Sequence, residues 1–225
     1  MSDAGKRAAG RAAAELVEPG MRIGYGTGST VEHFLVALAG RGIDVAGVPT
    51  SEGTARRCTE LGLPLLRPDE VAELDLVVDG ADELTRDLAL TKGGGRALLR
   101  EKVVAGMTRR LVVIATPGKV VARLGDSFPM PVEVIPFAAA PVRRALEADG
   151  FVVEVRNHGD GRDVETDNGN VLLDARLPGG IEDPAAVEAR VELMPGVVAC
   201  GLFTDLAHEA LLGDEDGSVT EIRVG

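Results

Sequence analysis

The stretch MRIGYGTGSTVEHFLVALA, residues 21–39, decides the fold. Met21 to Tyr25 is short and apolar, as a strand is, and Pro19-Gly20 stops the alanine-rich helix expected before it over residues 4–17. Gly26-Thr27-Gly28-Ser29-Thr30 follows, and then Val31 to Ala39 with helical periodicity. The reading is strand, glycine loop, helix. The alternation continues with strands expected at Ile43 to Pro49, Pro64 to Leu66, Asp75 to Val78 and Leu111 to Ala115. Helices are expected over about 52–61 and from the glycine run Lys92-Gly93-Gly94-Gly95 to about Met107. Strands alternating with helices predict a Rossmann-like α/β domain, a parallel sheet with helices on its faces.

After residue 128 the pattern changes. Phe128-Pro129-Met130-Pro131 reads as a connector. Strand, helix and strand follow at Val132 to Ile135, Ala139 to Ala148 and Phe151 to Val155, and again at Val171 to Leu177, Pro184 to Leu193 and Val197 to Phe203. The order β-α-β-β-α-β predicts a smaller ferredoxin-like α+β domain over 129–203. The Rossmann-like domain then comprises 1–128 and 204–225, the tail returning to it as a hairpin with its turn at Asp214 to Gly217.

Composition removes several classes of function. Acidic residues number 36 against 24 basic, and the net charge of −12 gives no long-range attraction for nucleic acid or anionic lipid. Five Phe, one Tyr and no Trp make no stacking platform for bases. Two cysteines make no disulfide framework and fit a reducing compartment. The first twenty residues lack the apolar core of a signal peptide, and no apolar run reaches the length of a membrane span. The expectation is a cytoplasmic protein without membrane or nucleic-acid partners.

Chemistry concentrates in three places. The loop at 26–30 follows a strand and opens a helix, the setting in which backbone N–H groups bind anions. It is not a dinucleotide fingerprint: counted from Gly24 the sixth position is Ser29, and the second strand ends in Pro49-Thr50-Ser51 without the ribose-binding acid. It is not a Walker loop either, since Gly5-Lys6 and Gly118-Lys119 are followed by Arg and Val. The hydroxyls of Thr27, Ser29 and Thr30 suit a phosphate monoester; the plainer alternative is a βα turn with Ser or Thr as N-cap. Asp79-Gly80-Ala81-Asp82-Glu83 sets three carboxylates at the carboxyl edge of the sheet, where open α/β sheets bind ligands. Such crowding calls for a cation or a polyhydroxyl ligand, unless the run is a solvated turn. Lys92-Gly93-Gly94-Gly95 is a second anion or enolate site at a helix start, or else a mobile hinge.

Glu101 is the most informative single residue. At roughly 100° per residue its helical neighbours are Ala97, Leu98, Val104 and Ala105, so it lies near the centre of an apolar arc, about two turns into a helix begun at Gly95. A carboxylate there loses solvation, and its pKa is expected to rise toward that of a general base; the plainer alternative is a glutamate whose arc is only partly buried, or one paired with a buried lysine. His33, His158 and His208 are isolated, as are Cys58 and Cys200, so no metal site is expected. No nucleotide or other cofactor signature is present.

Taken together, G-T-G-S-T at 26–30, D-G-A-D-E at 79–83, K-G-G-G at 92–95 and Glu101-Lys102 resemble the A-type ribose-5-phosphate isomerase family. So do F-P-M-P-V-E-V-I-P at 128–136, T-D-N-G-N at 166–170 and P-G-V-V-x-x-G-L-F at 195–203. The resemblance implies interconversion of ribose 5-phosphate and ribulose 5-phosphate through an enediolate, without metal or cofactor. It assigns Glu101 as the base between C1 and C2. It gives hydroxyl protons, ring opening and enediolate charge to Asp79, Asp82 and Lys92. Thr27, Gly28, Ser29, Thr30, Gly80, Ala81, Gly93, Gly94 and Gly95 would line the ligand, Lys119 matches a later family lysine, and Lys6 would add charge at the phosphate. Where the family has an A-D-x-S-K run, this chain reads Ala115-Thr116-Pro117-Gly118-Lys119, keeping the lysine but not the acid or the serine. A homodimer or homotetramer is implied. The alternatives are another sugar-phosphate enzyme, such as an amino-sugar phosphate deaminase, and a non-catalytic sugar-phosphate sensor.

Overall fold

The computed structural model describes residues 3–159 and 163–223. Contacts divide the chain into two compact units. The first comprises Met1–Ala81, Arg100–Val120 and Asp205–Gly225, and the second Asp82–Leu99 and Val121–Thr204. Residues 82–99 and 121–128, read from sequence with the Rossmann-like part, therefore lie with the second unit.

In the first unit, α1 (Asp3–Glu15) precedes β1 (Arg22–Tyr25), α2 (Ser29–Arg41), β2 (Ala46–Pro49), α3 (Glu52–Glu60) and β3 (Leu76–Asp79). The second unit intervenes, and the helix α4 (Leu98–Ala105) brings the chain back to β6 (Leu111–Ala115). The tail supplies β12 (Ala207–Gly213) and β13 (Val219–Arg223). The sheet order is β13-β12-β6-β3-β1-β2, parallel throughout except for the edge strand β13, which is joined to β12 by the expected hairpin. One face is covered by α1, α2 and α3: Ile23, Tyr25, Val78, Val112 and Ile114 pack with Ala9, Ala13, Phe34, Leu38 and Cys58. Helix α4 covers the other face, close enough that a Cβ on Gly24 would lie 2.7 Å from Val104 Cγ1. The chain runs outward in opposite directions from β1 and β3, so the switch point of the sheet, where doubly wound folds bind ligands, falls between these two strands.

In the second unit, β7 (Met130–Val134), α5 (Ala139–Ala148), β8 (Val152–Val155), β9 (Val171–Arg176), α6 (Pro184–Glu192) and β10 (Val197–Cys200) form the split βαβ arrangement. Their antiparallel sheet has the order β10-β7-β9-β8. Met130, Val132, Val134, Leu173 and Ala175 face α5 and α6 residues such as Val142, Leu146 and Val191. A small sheet joins β4 (Glu83–Leu84), β5 (Leu90–Thr91) and β11 (Leu202–Phe203). These pairings hold residues 82–99 to the second unit.

Three sequence expectations are corrected. Pro64 to Leu66 makes only an isolated bridge, Leu65 to Gly47. The run Val197 to Phe203 is two strands in two sheets, broken at Gly201, where a Cβ would collide with the Lys92 and Pro131 carbonyl oxygens. Met130 and Pro131 belong to β7 rather than to a connector. Pro131 is tolerated because its carbonyl accepts from the Gly201 N–H, and pairing with β10 begins only at Val132.

Candidate active site

The first unit presents its residues at the carboxyl ends of the adjacent parallel strands β1, β3 and β6. β1 runs into Gly26-Thr27-Gly28, and α2 begins at Ser29. The N-cap is Gly28, at φ +129°, with no side-chain cap, so the Ser or Thr cap alternative does not hold. The N–H groups of the first turn have no acceptor within the helix and remain available to an anion. Lys6 of α1 reaches this turn, its Nζ donating to Ser29 Oγ at 2.9 Å. The Thr27 hydroxyl turns elsewhere: its Oγ1 lies 2.8 Å from Thr50 Oγ1, 2.9 Å from Ser51 Oγ and 3.0 Å from Thr54 Oγ1. This hydroxyl cluster also holds the loop backbone, because Thr54 Oγ1 donates to the Gly26 carbonyl at 2.9 Å.

Asp79 ends β3 and is 2% exposed. Its Oδ1 accepts from the Thr27 N–H at 3.0 Å and the Gly80 N–H at 2.7 Å. Gly26 must be glycine, since a Cβ would collide with that same oxygen. Glu101 is the fourth residue of α4 and 4% exposed, and Ala97, Leu98, Val104 and Ala105 are all buried. Lys119 ends the short 3-10 turn Pro117–Lys119 after β6 and is half-buried. Thr116, at the family's acidic position, is buried, its Oγ1 without a hydrogen-bond partner.

In the second unit the glycine run connects β5 to α4. It does not open the helix as expected: Gly93 at φ +112° and Arg96 at φ +67° are left-handed, and α4 begins only at Leu98. Glu101 therefore stands in the first turn, not two turns in. Its burial survives the correction because the apolar spacing around it does not depend on where the helix starts. The run is held as well as strained. The Lys92 N–H donates to the Gly201 carbonyl at 2.8 Å, and the Gly94 N–H donates to Asp82 Oδ2 at 2.7 Å. A mobile hinge is not what these bonds describe. Lys92 is 3% exposed, with Nζ 5.6 Å from the centroid of the Phe203 ring.

The third carboxylate of the acidic run has a different task. Glu83 is fully buried. Its Oε1 accepts from the N–H and hydroxyl of Ser127 and from the Phe128 N–H, and its Oε2 accepts from the Gly125 N–H at 2.7 Å. Three close carboxylates are thus accommodated by backbone donors: Thr27 and Gly80 for Asp79, Gly94 for Asp82, and the 125–128 loop for Glu83. The run is not a solvated turn. Sequence reasoning gave no role to Thr50, Ser51, Thr54 or Phe203: the three hydroxyls carry no local motif and reach the loop only through tertiary packing, and Phe203, the last residue of the 195–203 motif, shows its place beside Lys92 only in the fold. Among the described residues no group of three or more His, Cys, Asp or Glu could hold a metal ion. No described helix is long and apolar enough to cross a membrane.

Comparison with known proteins gives a consistent result. Residues 46–217 match the family described as ribose 5-phosphate isomerase A (phosphoriboisomerase A). The chain is 49% identical over 224 residues to ribose-5-phosphate isomerase A of Caulobacter sp. (strain K31), covering 97% of each chain. The solved structure of ribose 5-phosphate isomerase A from Methanocaldococcus jannaschii superposes with a TM-score of 0.92 at 36% identity, covering 97% of this chain and 98% of that one. A D-ribose-5-phosphate isomerase in complex with phospho-erythronic acid superposes with a TM-score of 0.95 at 34% identity, covering 100% of both chains.

Proposed function

The chain belongs to the ribose 5-phosphate isomerase A family, and from that membership we propose how its residues interconvert D-ribose 5-phosphate and D-ribulose 5-phosphate. The observation that carries the assignment of roles is Glu101, a carboxylate 4% exposed on a helix face whose other residues are apolar. Burial is costly for a carboxylate, and a buried carboxylate retained on an apolar face is a candidate for a functional group.

The phosphate is held at the first turn of α2, by the N–H groups of residues 29–31, the Ser29 and Thr30 hydroxyls and the Lys6 ammonium. Thr27 and Gly28 contribute backbone; the Thr27 hydroxyl serves the loop. Glu101 removes the proton from C2 of the open-chain aldose. The electron pair moves into the C1–C2 bond and the C1 carbonyl pair moves onto O1, giving the cis-enediolate, and O1 then takes a proton. The O2 proton leaves, and Glu101 returns its proton to C1 to give the ketose. Asp79 and Asp82, with Gly80 and Ala81 beside them, exchange the hydroxyl protons and open the ring. Lys92 and the N–H groups of Gly93 and Gly95 balance the charge that develops on the enediolate oxygens, while Gly94 lines the ligand with its N–H on Asp82. Lys119 binds substrate from the β6 end.

Phospho-erythronic acid, bound in the related isomerase, supports this reading. It is a phosphorylated polyhydroxy acid, and its carboxylate sets two oxygens on a planar carbon, as the enediolate sets two oxygens on a planar carbon pair. The test is direct: the purified chain is mixed with ribose 5-phosphate and ribulose 5-phosphate is followed. Conversion abolished by Glu101→Gln, with substrate binding kept, supports these roles; conversion unaffected by it overturns them.

We further propose a cytoplasmic homodimer or homotetramer. Phe137 and Leu193, 93% and 83% exposed in the second unit, are large apolar side chains of the kind subunit contacts cover. Two buried cysteines that form no disulfide fit a reducing compartment. Light scattering at micromolar concentration reads the assembly, and a monomer alone would refute it.

A further inference from the structure

Arg156 follows β8 directly, and its guanidinium makes two kinds of bond. Nε donates to Asp174 Oδ2 at 2.9 Å and Nη2 donates to Asp174 Oδ1, a bidentate pair across β8 and β9. Nη1 is left over, and it donates to the Gly93 carbonyl at 2.7 Å, which also accepts from the Arg96 N–H at 3.1 Å. That carbonyl and the Gly94 N–H belong to one peptide group. The N–H donates to Asp82 Oδ2 at 2.7 Å. The peptide between Gly93 and Gly94 is therefore gripped at both ends, by Arg156 at its oxygen and by Asp82 at its nitrogen. Only one orientation of the plane satisfies both. It is reached at a φ of +112° for Gly93, a conformation open to glycine and closed to residues with a Cβ.

We propose that Arg156, held by Asp174, is a positioning residue for Asp82, acting through the Gly93–Gly94 peptide. The inference rests on the reading of Asp82 as a group that exchanges substrate hydroxyl protons. Asp174 neutralises the guanidinium charge, so Arg156 acts mainly through geometry: it sets the plane that aims the Gly94 N–H at Oδ2 and leaves Oδ1 for the substrate. The hydrogen-bonded chain from guanidinium through peptide to carboxylate also strengthens the Gly94 donor. Without Arg156 the Gly93 carbonyl keeps only the longer bond from the Arg96 N–H, so the peptide plane is held less firmly, and Asp82 samples rotamers that miss the substrate.

Four proteins test this: wild type, Arg156→Met, Asp82→Asn and the double variant, each assayed for kcat and KM with ribose 5-phosphate. Misplacement of a reacting group by about 1 Å costs about 100-fold, so Arg156→Met is expected to lower kcat by about 10- to 100-fold. KM is expected to stay within about threefold, because the phosphate contacts lie elsewhere. Arg156→Lys, which keeps one charged donor, is expected to recover part of kcat. In the Asp82→Asn background Arg156→Met is expected to cost almost nothing more, the mark of two residues acting as one. Losses that multiply in the double variant would mean that Arg156 acts through general stability, and would overturn the proposal. Unchanged kcat in Arg156→Met, with Asp82→Asn impaired, would overturn it while leaving the role of Asp82 intact. Wild-type activity in Asp82→Asn would remove the role of Asp82 and the proposal together. If Arg156→Met shows no cooperative thermal transition, Asp174→Asn, which keeps the guanidinium but loosens its hold, takes its place in the same comparisons.

Discussion

The Thr27 N–H donates to Asp79 Oδ1 at 3.0 Å, tying the end of β1 to the end of β3 at the switch point of the parallel sheet. The same oxygen accepts from the Gly80 N–H, so one buried carboxylate oxygen sets the path of both loops.

Asp79→Ala is therefore expected to act on stability as well as on activity. Two N–H groups of half-buried residues lose their acceptor, at up to about 1–3 kcal/mol for each group left unsatisfied. Asp79→Asn can still present an oxygen to both donors and is expected to keep most of the stability while losing the charge. Thermal denaturation of the two variants separates the effects: equal melting temperatures would show that Asp79 does not hold the loops.

Lys6 Nζ donates to Ser29 Oγ in the turn assigned to the phosphate. Lys6→Met is expected to raise KM for ribose 5-phosphate by about 10-fold, the scale of a charge-assisted contact of about 1.5 kcal/mol. The increase is expected to shrink in high salt as screening weakens the wild-type contact. A KM independent of this substitution would place the phosphate elsewhere.

Glu83 is expected to be structural despite its place in the acidic run. Glu83→Gln puts an NH2 group among the N–H donors of Gly125, Ser127 and Phe128, which face both carboxylate oxygens. Loss of a buried, charge-assisted acceptor is expected to cost about 3 kcal/mol. Chemical denaturation measures the loss. A variant as stable as wild type but catalytically dead would return Glu83 to the active site.

The sequence shows Asp79 and Glu83 as chemically alike, and only tertiary contacts separate them. Apart from the Thr91 hydroxyl across the small sheet, the partners of Glu83 come from residues 125–128, some forty positions away, and no local spacing announces them. Arg156 is hidden for the same reason, its acceptors lying at residues 93 and 174. The two-residue strands Glu83–Leu84 and Leu90–Thr91 are too short to show a period of two. What was legible rests on local physics. The strand–glycine–helix order forced the βα turn at 26–28, and apolar residues three and four away from Glu101 fixed its face although the helix begins at Leu98. The start of α4 was misread because glycine permits a helix start as readily as the left-handed turn that Gly93 and Arg96 adopt.

Cys58 lies on the buried face of α3, and burial pushes its thiol up to about 12, with Glu32 adding to the shift and Arg57 opposing it. A thiol raised from its ordinary 9.0 stabilises the fold fully below that value and loses the contribution as pH rises toward 12. Tyr25 is raised in the same direction, chiefly by burial, and adds to the effect. The melting temperature is accordingly expected to fall above about pH 9. At pH 8 the Cys58 thiolate fraction is on the order of 10⁻⁴, and Cys200 is fully buried too. Neither thiol is expected to react with a disulfide reagent in the native protein, and both are expected to react in guanidinium chloride. Rapid native labelling of Cys58 would contradict this.

Glu101→Gln is the most demanding test, because it changes one atom of the buried carboxylate and keeps the shape of the helix face. Removal of a general base costs about 10²–10⁴-fold in rate, and a pathway that takes its only carbon proton through this group is expected at the upper end. KM is expected to change little, since the contacts that bind phosphate lie on α1 and α2 and involve neither oxygen of Glu101. Isotope exchange gives an independent reading. A base that holds the proton between C1 and C2 can trade it with solvent, so wild-type enzyme in D2O is expected to leave deuterium at the exchanging carbon, and the variant almost none. If Glu101→Gln kept more than about a tenth of wild-type kcat, a loss well below that range, the carbon proton would have to pass through Asp79 or Asp82. Deuterium uptake into substrate by the Glu101→Gln variant would then separate proton transfer from the buried helix face on which the assignment rests.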